Sequence, residues 1–179
     1  SISPLDGRYA SKLSDLEQYF SEFALIKNRV LVEINWLIFM SRTKSLSFIP
    51  ALSKSKENSL LKVIDNFSIK DAEQIKKIEA KTNHDVKAVE IFIGKKLESL
   101  NLNKYKEFVH LFCTSEDINN LSYSLMLKGY LDNEFKEINS TLLKDLKSKS
   151  KKWSKLAIIS FTHGQTASPT TLGKEIANF

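Results

Sequence analysis

The most restrictive feature of this sequence is an apolar spacing that barely changes from Ile118 to Leu156. Ile118, Leu121, Leu125, Leu131, Phe135, Ile138, Leu142, Leu146, Trp153 and Leu156 recur close to every third or fourth residue, the spacing that lines one face of a helix. Gly129 interrupts the pattern at a cost of about 1 kcal/mol without stopping it. Thr114-Ser115-Glu116-Asp117 precedes it and reads as a capping box, with acids in the first turn where the helix dipole favours them. A helix that long cannot bury its stripe inside a small globule, so it calls for a long-helix bundle or partner chains.

Shorter helices are expected upstream. Phe20, Phe23, Ala24, Val30, Leu31, Ile34, Leu37 and Ile38 predict an amphipathic helix over 20–42, broken at Ser47–Pro50. Further helices are expected over 55–65, 71–80 and from Asp85 to about Leu97. Thr82 and Asp85 are expected to form a capping box for the last of these. Leu100–Lys106 reads as a loop followed by a short helix near Phe108, and Ala157–Phe161 as either the end of the long helix or a short extended piece. After Pro169, the residues Leu172, Ile176 and Phe179 begin another apolar helix face on which the sequence stops, so a truncated chain is expected. The fold class predicted is all-α, with a helical domain over 1–112 and the start of a long-helix domain over 113–179.

Composition narrows the class. Only 5 Gly and 3 Pro are too few for a turn-rich β sandwich, and no apolar run approaches the roughly 20 residues of a membrane span. One cysteine, Cys113, excludes an internal disulfide and suits a reducing, cytoplasmic compartment. A net charge of +6 favours anionic partners. The Lys-rich run Lys144–Lys155 can be read as a nucleic-acid contact. Periodicity favours instead the solvated side of a helix whose Leu146, Trp153 and Leu156 face inward. No partner nucleic acid or membrane is expected, and no metal-binding motif, glycine-rich phosphate loop or dinucleotide fingerprint is present.

The residues that can carry chemistry are few. His163, within Thr162-His163-Gly164-Gln165, is expected in a polar loop between two helices, where an imidazole suits general acid–base work. A plain surface role is equally open. His84, beside Asn83 and Asp85 at a helix start, can orient an acid or an anion, or simply cap the helix. His110 reads as a satisfied core or interface residue, and its spacing from Cys113 does not make a catalytic dyad. Thr114 and Ser115 place two hydroxyls at a helix N-terminus, a cradle for carboxylate or phosphate that capping alone also explains. Arg8 and Tyr9 in Asp6-Gly7-Arg8-Tyr9 suit a phosphate and a flat ring, or an ordinary exposed turn.

With those residues identified, four segments resemble the adenylosuccinate lyase family of the fumarase/aspartase superfamily: Ser3–Tyr9, Lys81–Glu90, Phe108–Lys128 and Thr162–Glu175. They look most like the bacterial branch and cover its N-terminal part. Phe161 and Thr166 depart from the family pattern, which usually has Arg and Pro there. The resemblance implies a cofactor-free β-elimination that releases fumarate from adenylosuccinate and from the related succinyl-carboxamide ribotide. It implies a helical bundle, a homotetramer and a small anionic nucleotide substrate. His163 matches the general acid, and His84 with Asn83 and Asp85 an orienting, substrate-binding segment. Thr114 and Ser115 match contacts to the succinyl group, Arg8 and Tyr9 contacts to the nucleotide, and Thr162 and Gln165 further binding positions. The family's base is a serine on a downstream loop outside this sequence, so residues 1–179 alone are expected to be inactive. Argininosuccinate lyase-like chemistry would share the histidine and bundle but not the Thr114–Leu121 and Asn83–Glu90 text. A helical interaction module without catalysis is the remaining alternative.

Overall fold

The structure, a computed structural model, describes residues 2–179. The chain forms two compact units, one running through Gly129 and the other spanning Tyr130–Phe179.

In the first unit, α1 (Ser14–Phe20) leads into α2 (Glu22–Arg42), whose cap Ser21 accepts a hydrogen bond from the Ala24 N–H at 3.1 Å. The helices α3 (Lys54–Asp65), α4 (Ile69–Thr82), α5 (Asp85–Ser99) and α6 (Ser115–Tyr130) follow. Between α5 and α6, Asn103–Phe108 forms 3-10 turns, so the short helix expected near Phe108 begins earlier, inside the stretch expected as a loop. Helix α5 is the centre of the unit. Val86, Ala88, Val89, Phe92, Ile93 and Leu97 are all buried, so it packs on more than one side. Val30, Ile34, Leu37 and Met40 of α2 meet it from one direction, and Ile75 and Ile78 of α4 belong to the same core. Phe67 and Phe92 meet edge to face, with 5.9 Å between centroids and 82° between planes, a favoured aromatic geometry. Tyr105 is fully buried and donates its hydroxyl proton to the Ala51 carbonyl at 3.1 Å. A small second cluster of Val32, Val86 and Ile118 joins α2, α5 and α6.

Polar ties fix the order of these helices. Arg42 at the end of α2 grips Glu57 of α3 with Nε and Nη2 at 2.6 and 2.5 Å. Asp71 completes a capping box with Ser68 and also accepts from Lys96 of α5 at 2.8 Å. The capping box expected at Thr82 and Asp85 is not formed. Asn83 adopts φ +52° and ends α4, and the Thr82 hydroxyl donates back to the Ile78 carbonyl at 3.2 Å. That left-handed residue leaves His84 as the first extended position, and the histidine itself caps α5.

The second unit departs further from expectation. A π-helical turn (Leu131–Phe135) precedes α7 (Lys136–Lys152), and Trp153 caps the end of α7. The predicted helix therefore stops short of Leu156. Ala157–Thr162 forms β1 and Gln165–Thr171 forms β2, an antiparallel pair. Ile158, Ile159, Phe161, Thr162, Thr170 and Thr171 are residues that fit a pleated ribbon better than a helix. A register shift leaves Ser168 and Pro169 opposite Ile159, and a bulge is where a strand tolerates proline. Helix α8 (Leu172–Ala177) is capped by Thr171, whose hydroxyl accepts from Lys174 N–H at 3.2 Å. Leu121, Leu125, Leu131, Ile138 and Leu142 from the long apolar stripe are exposed. Among the described residues no helix is long and apolar enough to cross a membrane.

Helix α8 meets the end of α7 backbone to backbone. The N–H groups of Leu172 and Gly173 donate to the carbonyls of Leu156 and Trp153 at 2.9 and 3.0 Å. A Cβ on Gly173 would lie 2.3 Å from the Ser150 carbonyl oxygen. Gly173→Ala is therefore expected to release α8 from α7 at a cost of about 1–3 kcal/mol, the usual penalty of overpacking. Amide hydrogen exchange should accelerate at Leu172 and Gly173 while the α5 core is unchanged.

Candidate active site

His84 stands at the α4–α5 junction, half exposed, with Nδ1 accepting the Lys87 N–H at 3.2 Å. That bond engages Nδ1 as an acceptor and leaves Nε2 as the nitrogen open to a ligand. Capping and ligand binding are thus compatible for this ring. Asp85 follows at 3.7 Å from Nδ1 and accepts from its neighbour's Val86 N–H at 2.8 Å.

Asp85 leads to a residue that hydrophobic periodicity passes over. Arg29 of α2 is 6% exposed, and its Nη2 donates to Asp85 at 2.6 Å while its Nε donates to the Asn119 side chain at 2.9 Å. Asn119 in turn donates to Glu116 at 3.0 Å. One guanidinium therefore ties the His84–Asp85 cap to the first turns of α6, the helix that begins with Thr114 and Ser115. Partial burial pushes the Asp85 carboxyl up, but the Val86 N–H and the Arg29 charge outweigh it and hold the group below the ordinary carboxylate value. At the head of α6, Thr114 donates its N–H to Asp117 at 2.7 Å, one half of the expected capping box.

His110 lies two residues before Phe112 in a bend where both adopt positive φ. Its Nδ1 is 2.6 Å from Oε1 of Glu33, which is 1% exposed. Burial pushes the Glu33 carboxyl up, against the opposing His110 bond. Cys113 beside it is pushed up to about 11, by burial first and then by the Glu33 and Asp117 charges. A thiol so raised is a poor nucleophile at neutral pH. Near the start of the chain, Asp6 accepts from the Ile2 and Ser3 N–H groups and closes the turn that carries Arg8 and Tyr9. The Arg8 guanidinium sits 5.5 Å from the Tyr9 ring centroid, and both line an open pocket of about 410 Å³ with Ile2, Ser3 and Pro4.

In the second unit, His163 is found at the tip of the β1–β2 hairpin, not between helices. His163 and Gly164 have φ +49° and +75°, the pair of positive values a type I′ turn requires. Thr162 and Gln165 face each other across the closing pair, and all four residues are exposed. Phe161 and Thr166 are partners in the next pair. The two departures from the family pattern therefore meet across one ribbon, where an aromatic and a β-branched residue suit each other. Among the described residues no group of His, Cys, Asp and Glu is placed to hold a metal ion.

Arg29→Met is expected to raise the Asp85 carboxyl toward its ordinary value and to lower stability at neutral pH by about 1–3 kcal/mol, discounted for the partial exposure of Asp85. The sign follows from the depressed folded value. The Asp85 contribution is present above the unfolded value of 3.8 and is lost as pH falls through the folded one. Urea unfolding at neutral pH and again below the carboxylate range should show wild type and variant converging in acid.

A family model described as lyase matches residues 7–179. Adenylosuccinate lyase of Haemophilus influenzae is 44% identical over 179 residues, covering 99% of this chain and 39% of that protein. The adenylosuccinate lyases of Escherichia coli K12 and Legionella pneumophila strain Corby are each 42% identical, over 99% and 100% of this chain and 39% and 40% of theirs. The chain thus spans about two-fifths of the length of the curated relatives it matches. With the match running over nearly all of its residues, the chain belongs to the lyase family.

Proposed function

We propose that this chain is the portion of an adenylosuccinate lyase that supplies the general acid and much of the substrate cradle. Identity of 42–44% to curated adenylosuccinate lyases across essentially the whole chain carries the reading. The chemistry is a β-elimination in which a base removes a proton beside a carboxylate, the C–N bond breaks, and an acid protonates the departing nitrogen. His163, at an exposed hairpin tip with few contacts to displace, is the acid. Negative charge grows on the succinyl carboxylate as the proton leaves, and fixed donors there lower the barrier. Thr114 and Ser115 supply hydroxyls at the positive end of α6, and Asn83, His84 and Asp85 orient the substrate. Arg8 and Tyr9 hold the nucleotide, with Thr162 and Gln165 flanking the acid. The products are fumarate with AMP, or with the carboxamide ribotide from the second substrate, steps of purine biosynthesis. A homotetramer in the cytoplasm is part of the same proposal. Its exposed apolar stripe on α6 and α7 suits burial between long helices, and its single cysteine suits a reducing compartment.

The test is ultraviolet-monitored cleavage of adenylosuccinate by a protein that carries this chain together with the downstream serine loop. His163→Ala should lower kcat by about 10²–10⁴-fold, the usual worth of a general acid. Full activity in that variant would move the acid elsewhere, and His84 would be tested next. Residues 1–179 alone should give no turnover above a no-protein control.

A further inference from the structure

Glu33 sits in the first unit at a place where an acid is costly. It is 1% exposed, one oxygen bonds to His110 Nδ1 at 2.6 Å, and the other, Oε2, is buried without a hydrogen-bond partner among the described residues. For packing alone, an apolar side chain of similar size would serve at least as well. One turn further along α2, Trp36 donates its Nε1–H to the Leu111 carbonyl at 2.8 Å. Both ties land on the same short bend. His110 and Phe112 have φ +63° and +64°; a histidine enters this region at modest cost, whereas a bulky Phe does so rarely and needs its surroundings to hold it there. Cys113 N–H closes the bend on the His110 carbonyl at 3.1 Å. The next residues are Thr114 and Ser115.

We propose that Glu33 is a positioning residue: through His110, and together with Trp36, it fixes the left-handed bend His110–Phe112 and with it the placement of Thr114 and Ser115 at the head of α6. The functional side of this inference rests on the lyase reading, which gives those two hydroxyls to the substrate carboxylate. The geometric side does not. A buried carboxylate that accepts from Nδ1 also fixes the proton on that nitrogen, so the ring keeps one orientation and one bonding pattern.

The test is ¹⁵N NMR and amide hydrogen exchange on the 179-residue chain without nucleotide, comparing wild type, Glu33→Gln and Trp36→Phe. In wild type the His110 Nδ1 should carry a proton. In Glu33→Gln that preference should give way to a mixture of tautomers, and exchange at Thr114 and Ser115 should rise about tenfold as local opening becomes easier, with Phe92 and Ile93 unchanged. Trp36→Phe should speed the same two amides and leave the His110 tautomer alone; if Glu33→Gln does not fold, Glu33→Asp, whose shorter side chain withdraws the carboxylate from the ring, takes its place with the same expected outcomes. An unprotonated Nδ1 in wild type, or unchanged exchange at Thr114 and Ser115 in the folded variants, would overturn the proposal. Failure of the lyase reading would appear separately, as absent adenylosuccinate turnover in the extended protein.

Discussion

The buried guanidinium of Arg29 is the constraint on which the arrangement of the first unit's candidate residues depends. A charge this far from water must be paired, and the partners here belong to two other helices, Asp85 of α5 and Asn119 of α6. Because Asp85 follows His84 and Asn119 lies one turn inside the helix that starts at Ser115, satisfying the arginine also brings two distant stretches of sequence into register. Such a pair is weak evidence of net stabilisation, since desolvation offsets much of its attraction. Its physical consequence is directional: the guanidinium accepts only arrangements in which both partners face it.

The same helix carries the other polar anchors. Arg29, Glu33 and Trp36 follow one another at four- and three-residue spacing on α2, so they lie along one face. Val30, Ile34 and Leu37, displaced by one position, are buried in the main core. Thus α2 presents an apolar stripe to α3, α4 and α5 and a polar stripe to the segments around His84 and His110. The hydrophobic stripe supplies the free energy of docking, and the polar stripe selects the register in which docking occurs.

Much of this was legible in the residues. The helices over 20–42, 55–65, 71–80 and 85–97 appear within a few residues of where periodicity places them, because each buries a one-sided apolar face. Thr171 and Leu172 start α8 as expected, and the segments around Asn83–Asp85 and Thr114–Ser115 do flank helix starts. The errors have local causes. Asn83 took a left-handed conformation that moved the α5 cap from Thr82 to His84. Leu156 keeps helical spacing although α7 ends at Lys152, and of the two readings open for Ala157–Phe161 the β-branched run takes the extended one. The His163-Gly164 pair between two such runs was a hairpin signal of the kind a two-residue turn needs, and it outranked the expected loop between helices.

Sequence by itself determined the helical class, the positions of the helices in the first unit, the family, and the small set of polar residues able to carry chemistry. These follow from short-range patterns and from text that can be compared. Tertiary structure alone decided that Arg29 joins Asp85 to Asn119, that Glu33 holds His110, and that Phe161 faces Thr166. Those pairings span large sequence separations or depend on strand register, and an isolated Arg or Glu on a helix looks the same whether it faces water or a buried partner. Their meaning arises only when desolvation forces each polar group to find its complement.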